Sequence, residues 1–163
     1  MTSVGQYDYE GLIKSYLLQD RLNAKTATNR MSYKGKILYS YETKLAQIYN
    51  FENKILLIDG GTATYSHTSI EHDHKLKTIA KELNWQVFVI DLDYTPSDNL
   101  REYWKDVEDY IGSFKRSRMY KEIARQKTLD LIAEARAYAK LYNLNSNIPK
   151  YIMEQLFINK LLT

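Results

Sequence analysis

Residues 31–59 read MSYKGKILYSYETKLAQIYNFENKILLID, and this stretch decides the fold class of the 163-residue chain. Apolar and polar side chains alternate along it, and the alternation is interrupted at Gly35 and at residues 50–53. A period of two is typical of half-buried strands, while Gly and Asn at such interruptions are typical of tight turns. The pattern predicts an antiparallel β-meander of three or four strands, listed along the chain as residues 32–34, 36–41, 44–49 and 54–59.

The segments next to this meander predict a helix, a loop and a short strand. Residues 9–19 carry apolar side chains at helical spacing, which predicts a short helix before the meander. Residues 23–30 are polar and small, which indicates a loop. After the glycines that end the meander, residues 62–66 are expected to add an edge strand.

A second helix and a further strand complete the N-terminal part of the prediction. Thr68 or Ser69 is a suitable N-cap for a helix that runs to about Leu83. Residues 85–92, WQVFVIDL, are almost continuously apolar, which is typical of a strand buried on both faces. Residues 1–96 are therefore expected to form one α+β domain.

After Pro96 the sequence carries no strand pattern, and its periodicity predicts helices at residues 97–113, 117–142 and 148–161. The predicted fold is α+β: a small antiparallel β-meander with one crossover helix and a buried strand, followed by a three-helix C-terminal tail at residues 97–163. The tail is expected to pack on the domain or on a partner, or to form a homodimer. A seam spaced for contact with another helix consists of Ala124, Thr128, Leu131, Ala135, Tyr138 and Tyr142.

Composition excludes several classes of protein. Hydrophobic residues make up 44% and charged residues 26% of the chain, which excludes collagen-like and wholly disordered chains. Cysteine is absent, which excludes disulfides, thiolate metal sites and cysteine nucleophiles and suits a cytoplasmic protein. No apolar run approaches about 18 residues. The first residues lack the pattern of a secretory signal. We therefore expect no membrane contact, and no cofactor is expected either.

The end of the apolar segment carries the pattern Asp91-x-Asp93-x-Thr95. An apolar strand followed by this pattern resembles the first motif of the haloacid-dehalogenase-like phosphatases, in which the first Asp is the nucleophile and the second an acid or base near Mg²⁺. That fold needs further parallel strands, whereas the rest of this chain has helical patterns. A strand end followed by a capped helix explains the same residues. A catalytic role of Asp91 and Asp93 stays open, and we favour a protein that is not an enzyme.

All three histidines lie within eight residues, at His67, His72 and His74. On one helix, His67, Glu71 and His74 would share a face at a spacing that suits a divalent cation. His67 precedes the expected helix, however, and the pattern supplies no fourth ligand. We therefore predict no metal site, and a solvated first turn with Glu71 and Asp73 near the positive end of the helix dipole is the alternative.

Charge is unevenly distributed, although the net charge is only +3. Residues 1–99 hold 11 basic and 12 acidic side chains, whereas residues 100–163 hold 12 basic and 8 acidic ones. Most of the excess lies in residues 113–127, SFKRSRMYKEIARQK, where Glu122 is the one acidic residue. This local excess predicts an anionic partner.

A helix break at Gly112 would place these cations at a helix N-terminus, where the macrodipole disfavours them. A cluster placed against local stability favours binding to RNA, DNA or an acidic protein surface, with Phe114 and Tyr120 available to stack on bases. An ordinary solvated helix face is the alternative. The predicted binding residues are Lys115, Arg116, Arg118, Lys121 and Arg125, of which the last three are spaced to share one helical face.

Tyrosine is frequent, with 15 copies against 4 of Phe, and three copies fall on the first hairpin. Tyr33, Tyr39 and Tyr41 are expected to crowd a small area, with Tyr39 and Tyr41 on the same face of the sheet. Such density suits a protein-binding surface. Half-buried packing within the sheet is the alternative.

Four segments together resemble a small uncharacterised domain that recurs in proteins of bacteriophages and plasmids of Gram-positive bacteria. Glu42 and Lys44 stand where the usual turn of that domain has Gly and Pro. The resemblance covers less than a third of the chain and brings no catalytic residues. The segments are residues 29–33, 38–46, 55–58 and 65–69, which read NRMSY, LYSYETKLA, ILLI and YSHTS.

The resemblance implies a mobile-element protein that acts in the cytoplasm of a bacterial host. Small phage proteins without cysteine and with crowded aromatic side chains often act by binding a host machine, and the anti-CRISPR inhibitors are one such class. We therefore expect a phage or plasmid counter-defence protein that inhibits a host CRISPR effector nuclease (Cas9-like) by stoichiometric binding to the effector complex or its guide RNA. The alternative is a nucleic-acid-binding accessory or regulatory protein of a mobile element.

Overall fold

The computed structural model describes residues 7–61 and 66–162, and the predicted mixed α+β class is confirmed. The chain divides into two compact units, Met1–Asp93 and Tyr94–Thr163. In chain order the elements are α1 (Tyr9–Leu18), β1 (Asn23–Lys25), β2 (Met31–Lys34), β3 (Ile37–Ser40), β4 (Thr43–Asn50), β5 (Ile55–Asp59), α2 (His67–Glu82), β6 (Gln86–Ile90), α3 (Pro96–Arg116), α4 (Lys121–Leu141) and α5 (Lys150–Ile158).

The strands of the first unit form one sheet in which the spatial order, β1 to β6, equals the order in the chain. The strands β1 to β5 pair antiparallel with their successive neighbours, and β6 pairs parallel with β5. Two-residue connections join β2 to β3 and β3 to β4. Gly35 in the first connection has a φ of 58°, a left-handed conformation that glycine adopts without steric cost. The strands β2 to β5 therefore form a meander, and α2 makes the crossover to β6.

The strand β1 corrects the loop predicted at residues 23–30, because its three residues pair antiparallel with β2. Ala24 is buried between two exposed neighbours. Three residues are too few for a recognisable alternation, so the sequence pattern does not show this strand. Of the edge strand predicted at residues 62–66, residues 62–65 lie outside the described part of the chain.

Helices α1 and α2 pack on one face of the sheet and form the core of the first unit with it. Asp8 begins α1 by accepting a hydrogen bond from the Gly11 N–H at 2.7 Å. Ser66 begins α2 in the same way, since its hydroxyl accepts from the Ser69 N–H at 3.1 Å, so that α2 starts slightly earlier than predicted. The sheet contributes buried side chains that include Met31, Tyr33, Leu38, Leu45, Ile48, Leu56 and Ile58.

The strand predicted to be buried on both faces is the edge strand β6, in which Phe88 and Ile90 are buried on one face and Val87 and Val89 are half-buried on the other. The neighbouring β5 has the expected burial, because residues 55–58 are all buried between β4 and β6. A continuous apolar run thus marks the parallel pair as a whole. It does not separate the inner strand from the edge strand.

In the second unit, α3 and α4 form an antiparallel helical hairpin. The first helix of the tail, predicted to end at about Ser113, ends three residues later at Arg116, so α3 runs through Gly112 without a break. Thr95 begins α3, since its hydroxyl accepts a hydrogen bond from the Asp98 N–H at 3.2 Å. One buried face continues across Gly112 and holds the helix together, through Tyr103, Trp104, Val107, Ile111 and Phe114.

The seam of α4 packs against α3. The ring of Tyr138 lies 5.4 Å from the ring of Tyr103, and its hydroxyl accepts a hydrogen bond from Asn99 Nδ2 at 3.1 Å. The Tyr103 hydroxyl donates to Glu134, and burial raises the pKa of Tyr103. The face predicted to meet another helix therefore meets α3 of the same unit.

Candidate binding surface at the α3–α4 tip

Residues 115–127, which we call the helical tip, join the last turn of α3 to the first turns of α4. Ser117 ends α3 because it leaves the helical conformation, with φ −74° and ψ 130°. Its hydroxyl then accepts a hydrogen bond from the Tyr120 N–H at 3.2 Å, which holds the connection in a tight turn. Lys121 follows as the first residue of α4. The turn thereby brings the basic ends of two helices together.

The predicted cations all lie on the helical tip, but their placement corrects the dipole argument. Lys115 and Arg116 occupy the last turn of α3, where the negative end of the dipole favours cations. Lys115 Nζ also donates to Gln155 Oε1 of α5 at 3.4 Å. Lys121 alone stands at the very start of a helix, where the dipole disfavours it. Most of the cluster is therefore compatible with local stability.

The face predicted to hold Arg118, Lys121 and Arg125 is only partly formed, because Arg118 lies in the connection and not in α4. Lys121 and Arg125 remain one helical turn apart on α4. The ammonium of Lys121 lies 4.9 Å from the centre of the Phe114 ring, a cation–π distance. Phe114 is buried under it, so this ring is not available to stack on a base, contrary to the prediction.

Large apolar side chains are exposed beside these cations. Met119 is 82% exposed and Tyr120 is 62% exposed, and Ile123 is exposed on the next turn. A hollow of about 310 Å³ opens between the two helices next to these residues. Tyr110 of α3, which is 41% exposed, lines the hollow and was not singled out in the sequence. Its spacing of three and seven residues from Ser113 and Ser117 is the signal that would have found it.

The three tyrosines of the first hairpin do not form one surface. Tyr33 is 1% exposed, and its hydroxyl forms a 2.7 Å hydrogen bond with the Ser15 hydroxyl. Tyr39 is half-buried on the sheet face opposite Tyr33. Tyr41 has a φ of 56° in the turn after β3, and its ring lies 6.3 Å from that of His72 in α2. The prediction that Tyr39 and Tyr41 share a face is therefore wrong.

The histidine cluster is divided between the surface and the core. His67 and His74 are exposed, whereas His72 is completely buried. A 2.8 Å hydrogen bond joins His72 Nδ1 to Ser40 Oγ, and burial lowers the pKa of His72. No group of three His, Asp or Glu side chains able to hold a metal ion occurs in residues 7–61 and 66–162. The Ser40–His72 pair has no access to solvent, so it acts as a polar contact between β3 and α2.

The aspartate pattern after β6 has local structural roles. Asp91 Oδ1 accepts a hydrogen bond from the Asp93 N–H at 2.9 Å, which forms a turn. Thr95 is the N-cap of α3. In the part of the chain described after Asp93, the regular elements are helices. The further parallel strands of a phosphatase fold are therefore not present there.

No helix among the described residues is long and apolar enough to cross a membrane. No protein-family model, curated protein or solved structure matches this chain.

Proposed function

We propose that this chain is a stoichiometric binding protein of a phage or plasmid that inhibits a CRISPR effector nuclease of the Cas9-like class in the bacterial cytoplasm. The observation that carries the proposal is the helical tip, where exposed cations and exposed large apolar side chains occur together. Arg118 and Lys121 are exposed beside Met119 and Tyr120. An apolar patch bordered by charge is typical of an interaction site.

The residue types at the helical tip support a macromolecular partner. Tyr, Met and Arg are enriched in the cores of protein interfaces, and a few such residues supply most of the binding energy. The guide RNA of an effector complex supplies phosphates, and an acidic groove of the nuclease supplies carboxylates. Either one attracts the cations of residues 115–127, which number six against one acidic residue.

Inhibition is tested by DNA cleavage with a purified effector complex and increasing amounts of this protein. We expect cleavage to stop near one equivalent, without recovery over time, because a binding inhibitor does not turn over. The double variant Arg118→Glu, Lys121→Glu should lose inhibition. Lys25→Glu, Lys34→Glu makes the same change of charge at exposed sheet positions and should keep it.

Two results would overturn the proposal. If excess protein leaves cleavage unchanged for every effector tested, the chain is not an inhibitor of this class. If both double variants lose inhibition equally, net charge and not the helical tip is responsible.

A nucleic-acid-binding accessory or regulatory protein of a mobile element is the second candidate, favoured by the local excess of cations. Affinity for bare RNA or DNA should then fall by about 0.7–0.9 log units per log unit of salt for each phosphate contacted. Replacing Arg118, Lys121 and Arg125 with Ala should flatten that slope. An unchanged slope would exclude the helical tip as the contact.

A further inference from the structure

The residues that line the hollow at the helical tip are regularly spaced along the chain. Tyr110 and Ser113 approach it from one face of α3, and Ser117 follows at the end of that helix. Tyr120, Ile123 and Lys127 approach it from the start of α4 at spacings of three and four residues. Two helix faces thus converge on one opening, with a tyrosine contributed by each side.

The lining combines flat aromatic surfaces with hydrogen-bonding groups. The partial exposure of Tyr110 and Tyr120 leaves ring surface free for contact. The hydroxyls of Ser113 and Ser117 and the ammonium of Lys127 offer donors, and the hydroxyls offer acceptors as well. A nucleobase presents the complementary features, which are two aromatic faces and a polar edge. The volume of about 310 Å³ is at the lower end of small-molecule sites, which run from about 300 to 1,000 Å³, and suits a single base.

The charge around the hollow favours a nucleic acid over an apolar protein side chain. An aliphatic side chain of a partner, such as leucine, would also fill the hollow, but it would gain nothing from the cations. Arg118 and Lys121 are exposed at the turn between α3 and α4, and Lys127 lines the hollow itself. The contact of Lys121 with the Phe114 ring orders its side chain before a ligand arrives.

We infer that this hollow binds one unstacked base of single-stranded RNA or DNA, while the cations of the helical tip bind the adjoining phosphates. The inference rests on the proposed function and deepens it, because it names the nucleic acid as what the helical tip contacts. Bases in a duplex are stacked and paired, and extruding one of them costs free energy. A single strand therefore binds more tightly than a duplex of the same sequence.

The test uses fluorescence anisotropy with the whole chain and three labelled probes. They are a short oligouridine, the same strand with abasic positions, and a duplex of equal length. Wild type should bind the intact strand most tightly. Tyr110→Ala and Tyr120→Ala should each weaken that binding on the order of tenfold, as expected for loss of base stacking. Both variants should leave binding to the abasic strand unchanged.

Matched variants separate stacking from charge and from folding. Tyr120→Phe keeps the ring and should keep affinity, and Phe157→Ala removes an exposed aromatic ring from α5 and should have no effect. Lys127→Ala should reduce the salt dependence by about 0.7 log units per log unit of salt, whereas the tyrosine variants should not change it. Circular dichroism and thermal unfolding verify that each variant is folded.

Equal affinity for intact and abasic strands, or for single strand and duplex, would overturn the inference. If no probe binds while cleavage inhibition depends on Arg118 and Lys121, the hollow holds a protein side chain; the inference then fails and the proposed function stands. If the intact strand binds as expected while cleavage is unaffected, the proposed function fails and the base site stands.

Discussion

Replacing Tyr33 with alanine tests whether this tyrosine belongs to the core or to a binding surface. The side chain is 1% exposed, its ring lies 5.5 Å from that of Tyr16, and its hydroxyl bonds to Ser15. Removing a buried aromatic ring costs about 3–5 kcal/mol. Tyr33→Phe removes only the hydrogen bond and should cost about 1 kcal/mol. Tyr39→Ala removes a half-buried ring from the outer face and should cost less than about 1 kcal/mol.

Urea unfolding measures these differences. The chain has two tryptophans, Trp85 in the first unit and Trp104 in the second, so a Trp104→Phe background makes Trp85 fluorescence report on the unit that contains Tyr33. The reasoning is refuted if Tyr33→Ala and Tyr39→Ala destabilise equally. Should Tyr33→Ala fail to fold, Tyr33→Phe still decides the question, because a cost near zero would place the hydroxyl outside the core.

Three further predictions concern a buried histidine, a buried hydrogen bond and two glycines. Burial lowers the pKa of His72 below its ordinary 6.5, so below that pH the unfolded chain binds a proton that the folded chain does not. The free energy of unfolding should therefore fall as pH drops from 7 to 5, and urea titrations should show His72→Gln without this loss. Tyr138→Phe removes the acceptor of the Asn99 amide and should lower stability by about 1–3 kcal/mol in thermal unfolding. Gly112→Ala should stabilise α3 by about 0.5–1 kcal/mol, whereas Gly35→Ala, at a φ of 58°, should destabilise by about 1 kcal/mol.

Each of these has a contrary outcome. An unfolding free energy that is flat between pH 7 and 5 would mean that His72 titrates alike in both states. A Tyr138→Phe variant as stable as the wild type would exclude the Asn99 contact as a source of stability. Destabilisation by Gly112→Ala would indicate that the neighbouring Arg116 guanidinium, 3.4 Å from the added carbon, has no room to move.

The meander was predictable because its signals are local. Alternation along β4 and the glycine at position 35 fix where each strand turns, and both are visible in one sequence. The face of the sheet on which Tyr41 lies was not predictable. Alternation would place Tyr41 on the same face as Tyr39, but its left-handed φ turns the chain at this residue. Tyrosine rarely adopts that conformation, so the residue type at position 41 gives no signal for it.

The same distinction between local and tertiary signals applies to the candidate site. The cations of residues 115–127 stand out in the sequence, since charge excess needs no knowledge of the fold. The roles of Phe114 and Tyr110 were not predictable, because burial of one ring and exposure of the other depend on how α3 meets α4. A hollow between two helices is a tertiary feature. The spacing of residues along one helix indicates which side chains share a face of that helix, but not which helix packs against that face.

The order of the strands has a consequence for how the first unit assembles. Four of its five strand pairings join segments separated by two to five residues, so the chain closes only short loops to form them. The pairing of β6 with β5 must wait for α2 and closes a much longer loop. During synthesis the meander can therefore form as soon as residue 59 has left the ribosome, before Trp85 has left it. We therefore expect β6 to dock later than the meander forms, because its pairing with β5 is the less local one.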